Sequence, residues 1–348
     1  MRVTREIFRS LHQCRRKPAL PTRNLSILPL LFFTLACQRV TPGNISEIDQ
    51  NSHAIVLLGS REYIVEQTLV LNNAGLDKPE KQNLWVALIR DFPPYQEVQS
   101  QVIEPPDYTL VTDEYGNQYA EFDLSDHPAG SEKKIDIRTH VLVNELEYDL
   151  SDCSGVLTGE FLQPELHIES DNPQVVSLAK RLAAGKINVC QKVRSFYDYI
   201  SNELTYTYNG ENWGAQAALG PMGSDCTEYA SLMSALSRAA GVPARYFEGL
   251  RYQEDGETAD ALIQHAWLDV KLPGIGWVGM DPTLGRLPIN RESYFAHYTP
   301  EHIIVTMGSS PSTLRGSSYW THLYWPGDST RISVENPGWH IDLVSAPE

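Results

Sequence analysis

Between residues 61 and about 150, apolar and polar side chains alternate with a period of two. Tyr63, Val65, Gln67, Leu69 and Leu71 fall on one face, and Ile64, Glu66, Thr68 and Val70 on the other, the pattern of a half-buried strand. Strand-like runs recur at 84–89 (LWVALI), 108–124 and 134–143. Turn formers separate them: Asn72-Asn73-Ala74-Gly75, Pro93-Pro94, Pro105-Pro106 and Gly116-Asn117. Asp113–Asn117 reads as the turn of a hairpin. Short strands at this spacing predict an antiparallel β-sandwich over 61–150.

After Gly159 the pattern becomes helical. Ser170-Asp171-Asn172-Pro173 supplies a cap followed by proline in the first turn, and predicts a helix from Pro173 that stops at Gly185. A second helix over about 187–204 carries Ile187, Cys190, Val193, Phe196, Tyr197, Ile200 and Leu204 on one face. A third runs from about Cys226 to Gly241, with Ala230, Met233, Leu236 and Ala240 inward, and Gly241-Val242-Pro243 ends it. Strands follow over 244–252, 264–272 and 277–280. Helices first and strands next within 165–310 predict an α+β domain. Residues 311–348 are expected to add strands packed on that domain.

The first 36 residues follow a different logic. Residues 1–24 hold seven basic side chains against the single acid Glu6, and an apolar run of twelve, LSILPLLFFTLA, follows at 25–36. This is the layout of an export signal, and it is too short to span about 30 Å of hydrocarbon as a helix. The run ends Thr34-Leu35-Ala36-Cys37, which resembles a bacterial lipoprotein cleavage box in which Cys37 becomes the lipidated first residue. Thr34 stands where such boxes usually have leucine, and plain secretion is the alternative. Residues 37–60 read as a polar tether. Gln38 is not aspartate, so in a Gram-negative host the resemblance implies the outer membrane, facing the periplasm.

Charge narrows the partners. The 348-residue chain has a formal net charge of −16, and without residues 1–36 it reaches −22. Phosphate backbones repel such a chain, which disfavours nucleic acid as a partner. Anionic lipid repels it too, leaving acyl chains on Cys37 as the route to a membrane. Five cysteines are too few for a disulfide scaffold. Cys153 and Cys190 can pair in an oxidising compartment, or Cys190 can remain a buried thiol.

Three short segments carry chemistry. Cys226, in MGSDCTEYA, opens a predicted helix, where free N–H groups and the positive dipole end favour a thiolate and predict a lowered pKa. His265, in QHAWLDV, shares a strand face with Trp267 and Asp269. Asp281, in GWVGMDPT, ends a strand before a proline. Singly, each has a plain structural reading: a small buried thiol, a core histidine, a turn residue. Together they supply a nucleophile, a base and an orienting acceptor. Zinc is not expected, because there is no CxxC or HExxH spacing and Pro300 separates His297 from His302. No cofactor is expected either.

The set Cys226-Thr-Glu-Tyr-Ala-Ser-Leu, Ala239-Ala-Gly-Val-Pro-Ala-Arg245, His265-Ala-Trp267, Leu272-Pro-Gly-Ile-Gly-Trp277 and Asp281-Pro-Thr283 resembles the transglutaminase-like superfamily, whose fold is related to papain-like proteases. The resemblance covers about 165–310. It implies Cys226 as nucleophile, His265 as base and Asp281 as its orienter. The family commonly has glycine two residues before the cysteine; here Ser224 stands there, with Gly223 one further back. The N-terminal strands resemble the sandwich that precedes this domain in some bacterial members. An oxyanion would be met by the Cys226 N–H, with Tyr206, Tyr208 and Trp213 as candidates for a second donor. The implied activity is thiol acyl transfer on a peptide or protein in the cell envelope, as a peptidase or amidase or as a transglutaminase. The alternative is a catalytically inert binding or scaffold lipoprotein.

Overall fold

The computed structural model describes residues 54–79, 82–157, 159–208, 213–253, 264–309, 317–318, 322–325, 332–336 and 338–345. The signal, Cys37 and the tether to residue 53 lie outside them.

The N-terminal strands are β1 (Ile55–Asn73), β2 (Asn83–Leu88), β3 (Gln96–Glu104), β4 (Thr109–Thr112), β5 (Gln118–Asp123) and β6 (Glu132–Tyr148). Next come helices α1 (Pro173–Ala183), α2 (Val189–Glu203), α3 (Ala215–Ala218) and α4 (Cys226–Ala239). Strands β7 (Ala244–Arg251), β8 (Gln264–Leu272), β9 (Gly276–Met280), β10 (His297–Tyr298) and β11 (His302–Met307) follow. The described chain closes with β12 (Ser317–Ser318), β13 (His322–Trp325), β14 (Ile332–Glu335) and β15 (Trp339–Ser345).

One sheet is built on the long antiparallel pair β1 and β6, with β14 and β15 on β1 and with β3 and β10 on β6. The second runs β12-β13-β2-β5-β4, and the third β11-β7-β8-β9. Leu69 and Leu71 of β1, Ile135 and Ile137 of β6, and Leu84, Val86, Leu88 and Phe122 from the second sheet form one core. The expected sandwich is therefore present, and β4 and β5 form the hairpin around Asp113–Asn117. Alternation explains β1, but β2 is apolar throughout because it is covered on both sides. Leu84, Val86 and Leu88 face the first sheet. Trp85, Ala87 and Ile89 join the larger core that continues into the helices and the third sheet.

Two boundaries differ from expectation. β1 begins at Ile55, inside the expected tether, because Ile55–Leu57 pair with Leu146–Tyr148 of β6. The C-terminal strands pair with the sandwich, β13 on β2 and β14 and β15 on β1, instead of adding to the third sheet. The free edge of β1 supplies the backbone partners they need.

Amides join the sandwich to the third sheet. Gln96 Nε2 donates to the Ile304 carbonyl at 2.9 Å and its Oε1 accepts from Ile304 N–H at 2.8 Å. Asn117 does the same at Met307, with both bonds at 2.8 Å. The outer edge of β11 is thus closed by side chains, which fixes where the third sheet lies against the sandwich.

Candidate active site

Helix α4 begins at Cys226, as its sequence predicts. Asp225 is the N-cap and accepts from Thr227 N–H at 3.0 Å, while Glu228 accepts from Asp225 N–H at 2.9 Å. This is a capping box, and it leaves the Cys226 N–H without an acceptor among the described residues. The loop before it is set by Gly223, whose φ of +83° is a glycine conformation and where a Cβ would stand 2.7 Å from Thr207. That close approach lets Ser224 pair in parallel with Tyr206, with Thr207 N–H bonding the Ser224 carbonyl at 2.8 Å.

The third sheet delivers His265. His265 lies near the start of β8, opposite Gly249 of β7. A Cβ at Gly249 would collide with the Ile303 carbonyl and the Trp267 ring, so glycine is what lets Trp267 pack there. His265 and Trp267 stack at 6.0 Å between centroids with 20° between planes, on the shared face the alternation predicts. Asp269, also on that face, is taken up by Arg245 and by Tyr95 at 2.9 Å and has a structural role. The backbone of Ala266, the residue after His265, acts on the Cys226 thiol and lowers it. The start of α4, with Cys226, thus lies against β8, which carries His265.

Asp281 follows β9. Its Oδ2 lies 2.6 Å from His265 Nε2, and its Oδ1 accepts from Thr283 and Leu284 N–H at 2.8 and 3.0 Å. With Nε2 engaged, Nδ1 is the His265 nitrogen available to the thiol. A third group completes the cluster. His302 Nε2 lies 3.1 Å from the same Asp281 Oδ2, and its Nδ1 is 2.8 Å from Thr299 Oγ1. In the sequence His302 stood out only as a rejected zinc ligand. The turn from β10 into β11 brings it back to Asp281, which no local spacing discloses.

Electrostatics corrects one expectation. Burial pushes the Cys226 thiol up, and the charges of Asp225, Asp281 and Glu228 add to this. The helix start predicts a lowered thiol; burial outweighs that, and the thiol is raised instead. Asp281 moves the other way. Burial alone would raise its carboxyl, but the His265 and His302 imidazoles hold it well below the usual range.

The candidate oxyanion residues separate. Tyr206 is beside the nucleophile, 45% exposed, with its hydroxyl raised chiefly by burial and then by Cys226. Tyr208 is 81% exposed, and Trp213 packs its ring against His167 at 5.6 Å. His265, Asp281 and His302 offer donor atoms within 4.8 Å of one another. A transition metal could use that set, but the hydrogen bonds just described already engage each of the three donors. Cys153 and Cys190 are joined in a disulfide, and Cys226 is the free cysteine among the described residues.

Residues 176–282 match the model of the transglutaminase-like superfamily. The chain carries a transglutaminase-like domain. Its curated relatives include the uncharacterized protein YebA of Bacillus subtilis, 31% identical over 129 residues, or 32% of this chain and 18% of that protein. A protein-glutamine gamma-glutamyltransferase of Pseudomonas aeruginosa is 36% identical over 63 residues, 17% of this chain and 9% of that one. The matched stretches cover less than a fifth of either relative. The solved structure of "a Putative Cysteine Protease" from Cytophaga hutchinsonii has a TM-score of 0.60 at 16% identity, covering 84% of this chain and 94% of its own. The shared fold thus extends beyond the transglutaminase-like domain into the N-terminal sheets. No helix among the described residues is long and apolar enough to cross a membrane.

Proposed function

We propose that this chain is a cell-envelope enzyme of thiol acyl transfer, with Cys226 as nucleophile, His265 as general base and Asp281 as the group that orients it. The observation that carries this reading is the 2.6 Å contact of His265 Nε2 with Asp281, made on the strand whose next residue, Ala266, acts through its backbone on the Cys226 thiol. Because burial favours the thiol, attack needs a base in place. His265 Nδ1 takes the proton as sulfur bonds to an amide carbonyl carbon, and the ionised Asp281 stabilises the imidazolium. The Cys226 N–H receives the oxyanion, with Tyr206 as the second donor. Collapse expels the amine, which takes its proton from His265, and leaves an acyl thioester on Cys226. Water then releases an acid, or a second amine forms a new amide; in each case His265 removes a proton from the incoming group and returns it to sulfur. The first outcome is that of a peptidase or amidase, the second that of a transglutaminase.

An inert scaffold would have no need of a buried His265–Asp281 contact next to a thiol at a helix start. The test is to incubate the protein with a glutamine-containing peptide, with and without a primary amine, and quench in acid. A mass increase on Cys226 that is absent from Cys226→Ala supports the reading. An adduct that persists in Cys226→Ala, or peptide processed equally by both proteins, contradicts it. The signal and Cys37 add the proposal of a lipid anchor: the exported wild type partitions with membranes, and Cys37→Ser is released or left unprocessed. Recovery of the wild type as a soluble protein with a free amino group at Cys37 would reject the anchor.

A further inference from the structure

The surroundings of Cys226 are acidic. Asp225 and Glu228 cap its helix, and Asp281 holds the base. Arg286, five residues beyond Asp281, is the exception. Its guanidinium carbon lies 4.3 Å from the centroid of the Tyr206 ring, and Nη1 donates to the Thr283 carbonyl at 2.7 Å. A guanidinium has five N–H donors, and the others on Arg286 have no acceptor among the described residues. It has no carboxylate partner there either. Several other arginines do: Arg138 with Glu66, Arg194 with Asp198 and Glu292, Arg238 with Glu165, and Arg251 with Glu301; Arg90 and Arg291, away from Cys226, bond to carbonyl or amide oxygens instead. In a chain with 44 acidic and 28 basic residues, carboxylates are plentiful. An arginine left without one beside a nucleophile is poised for an anion that arrives from outside.

Tyr206 shows where that anion would lie. The bridge to Ser224 fixes its backbone two residues before Cys226, and its ring is partly open to solvent. Its hydroxyl feels Cys226, Asp225, Arg286 and Asp281 together. Tyr206 therefore carries the cation on its ring and has its backbone beside the helix start of Cys226, and stacking on it holds the planar fork in place for two-point recognition of a carboxylate. We infer that Arg286, laid on Tyr206, is a carboxylate-binding subsite, and that the substrates are peptides carrying a free carboxylate close to the amide that Cys226 attacks. This rests on Cys226 being the nucleophile. The carboxylate is either a peptide's C-terminus or an acidic side chain; the recognition chemistry is the same.

Two reagents separate the charge effect from the reactivity of the thiol. Iodoacetate and iodoacetamide alkylate a thiol by the same displacement of iodide, but only the first carries a carboxylate. The ratio of their rates at Cys226, read by peptide mass spectrometry, is expected to exceed the ratio for free cysteine, although the acidic surroundings alone would lower it. Arg286→Gln is expected to reduce that ratio about three- to tenfold at low salt, and high salt to shrink the difference. Arg286→Lys keeps the charge but not the stacked fork and recovers only part of the ratio, and Lys78→Gln, which removes a cation from the sandwich, leaves it alone. A ratio unchanged in Arg286→Gln, or reduced equally in Lys78→Gln, overturns the subsite.

A second arm does not depend on a reactive thiol. Cys226→Ala and Cys226→Ala/Arg286→Gln are titrated calorimetrically with two capped tripeptides. One has a free C-terminus and neutral side chains; the other has an amidated C-terminus and a glutamate. Binding of either peptide that weakens with Arg286→Gln supports the subsite and identifies the source of the carboxylate. Binding of both that ignores Arg286, or binding of neither, overturns it. Failure of the nucleophile is recognised separately, as a Cys226 that resists both reagents in the folded wild type.

Discussion

His302 reaches Asp281 from 21 residues away in sequence and shares with His265 a single carboxylate oxygen, at 3.1 Å against 2.6 Å. His265 is thus held by a carboxylate that is itself held by a second imidazole and two backbone N–H groups. His302→Phe keeps a ring in the 2% exposed position and removes both nitrogens. Asp281 then loses one of the two groups that depress its carboxyl, and the rate of Cys226 modification at pH 7 falls on the order of tenfold. If His302 only packs, the variant melts earlier and the rate per folded molecule is unchanged.

Asp281→Asn keeps size and one oxygen, but its amide competes with the His265 tautomer. Turnover is expected to fall on the order of 10²–10⁴-fold with substrate binding nearly intact. The same carboxyl also stabilises the fold. Its folded value is depressed, so this contribution is complete above about pH 4 and is lost only as pH falls through the folded value. Asp281→Asn therefore loses stability at neutral pH, and its deficit shrinks in strong acid. Normal turnover with a lowered melting temperature would leave Asp281 a turn residue.

Glu248 predicts the opposite slope. Burial pushes its carboxyl up to about 7, only partly relieved by the Tyr246 hydroxyl at 3.1 Å. Between about pH 4.5 and 7 the folded protein holds a proton that the unfolded chain has released, so stability falls as pH rises across that window. Glu248→Gln is expected to flatten this fall and to be more stable than wild type at pH 8, by on the order of 1–3 kcal/mol. Parallel stability curves for the two proteins would contradict it.

The Cys153–Cys190 disulfide closes 37 residues of chain and ties the linker after β6 to the start of α2. Loop closure at this length is worth about 3–4 kcal/mol. Cys153→Ser/Cys190→Ser should lower stability by an amount of that order and leave labelling of Cys226 in place. Loss of Cys226 labelling in the folded double variant would instead tie the bridge to the site.

Much of this site is local and therefore legible in sequence. The cap at Asp225 fixes the start of α4 at Cys226, and period-two alternation aligns His265 with Trp267. What stays hidden depends on topology or on summed charge. His302 meets Asp281 only because the chain turns back between β10 and β11. The capping carboxylates that announce the helix also raise the Cys226 thiol, so one motif points both ways. The C-terminal strands return to the free edge of β1, more than 250 residues away in sequence, and no pattern within them names that partner.

The central claim is that His265 draws the proton from Cys226, and the raised thiol makes it testable without a substrate. Iodoacetamide modification of Cys226 is followed from pH 6 to 10 in wild type and His265→Ala. Without the imidazole almost no thiolate exists at pH 7, so the variant is expected to react at least about tenfold more slowly there. The gap should narrow toward pH 10 as the variant's thiolate fraction grows with pH. Equal rates at pH 7 in the two folded proteins would contradict the account.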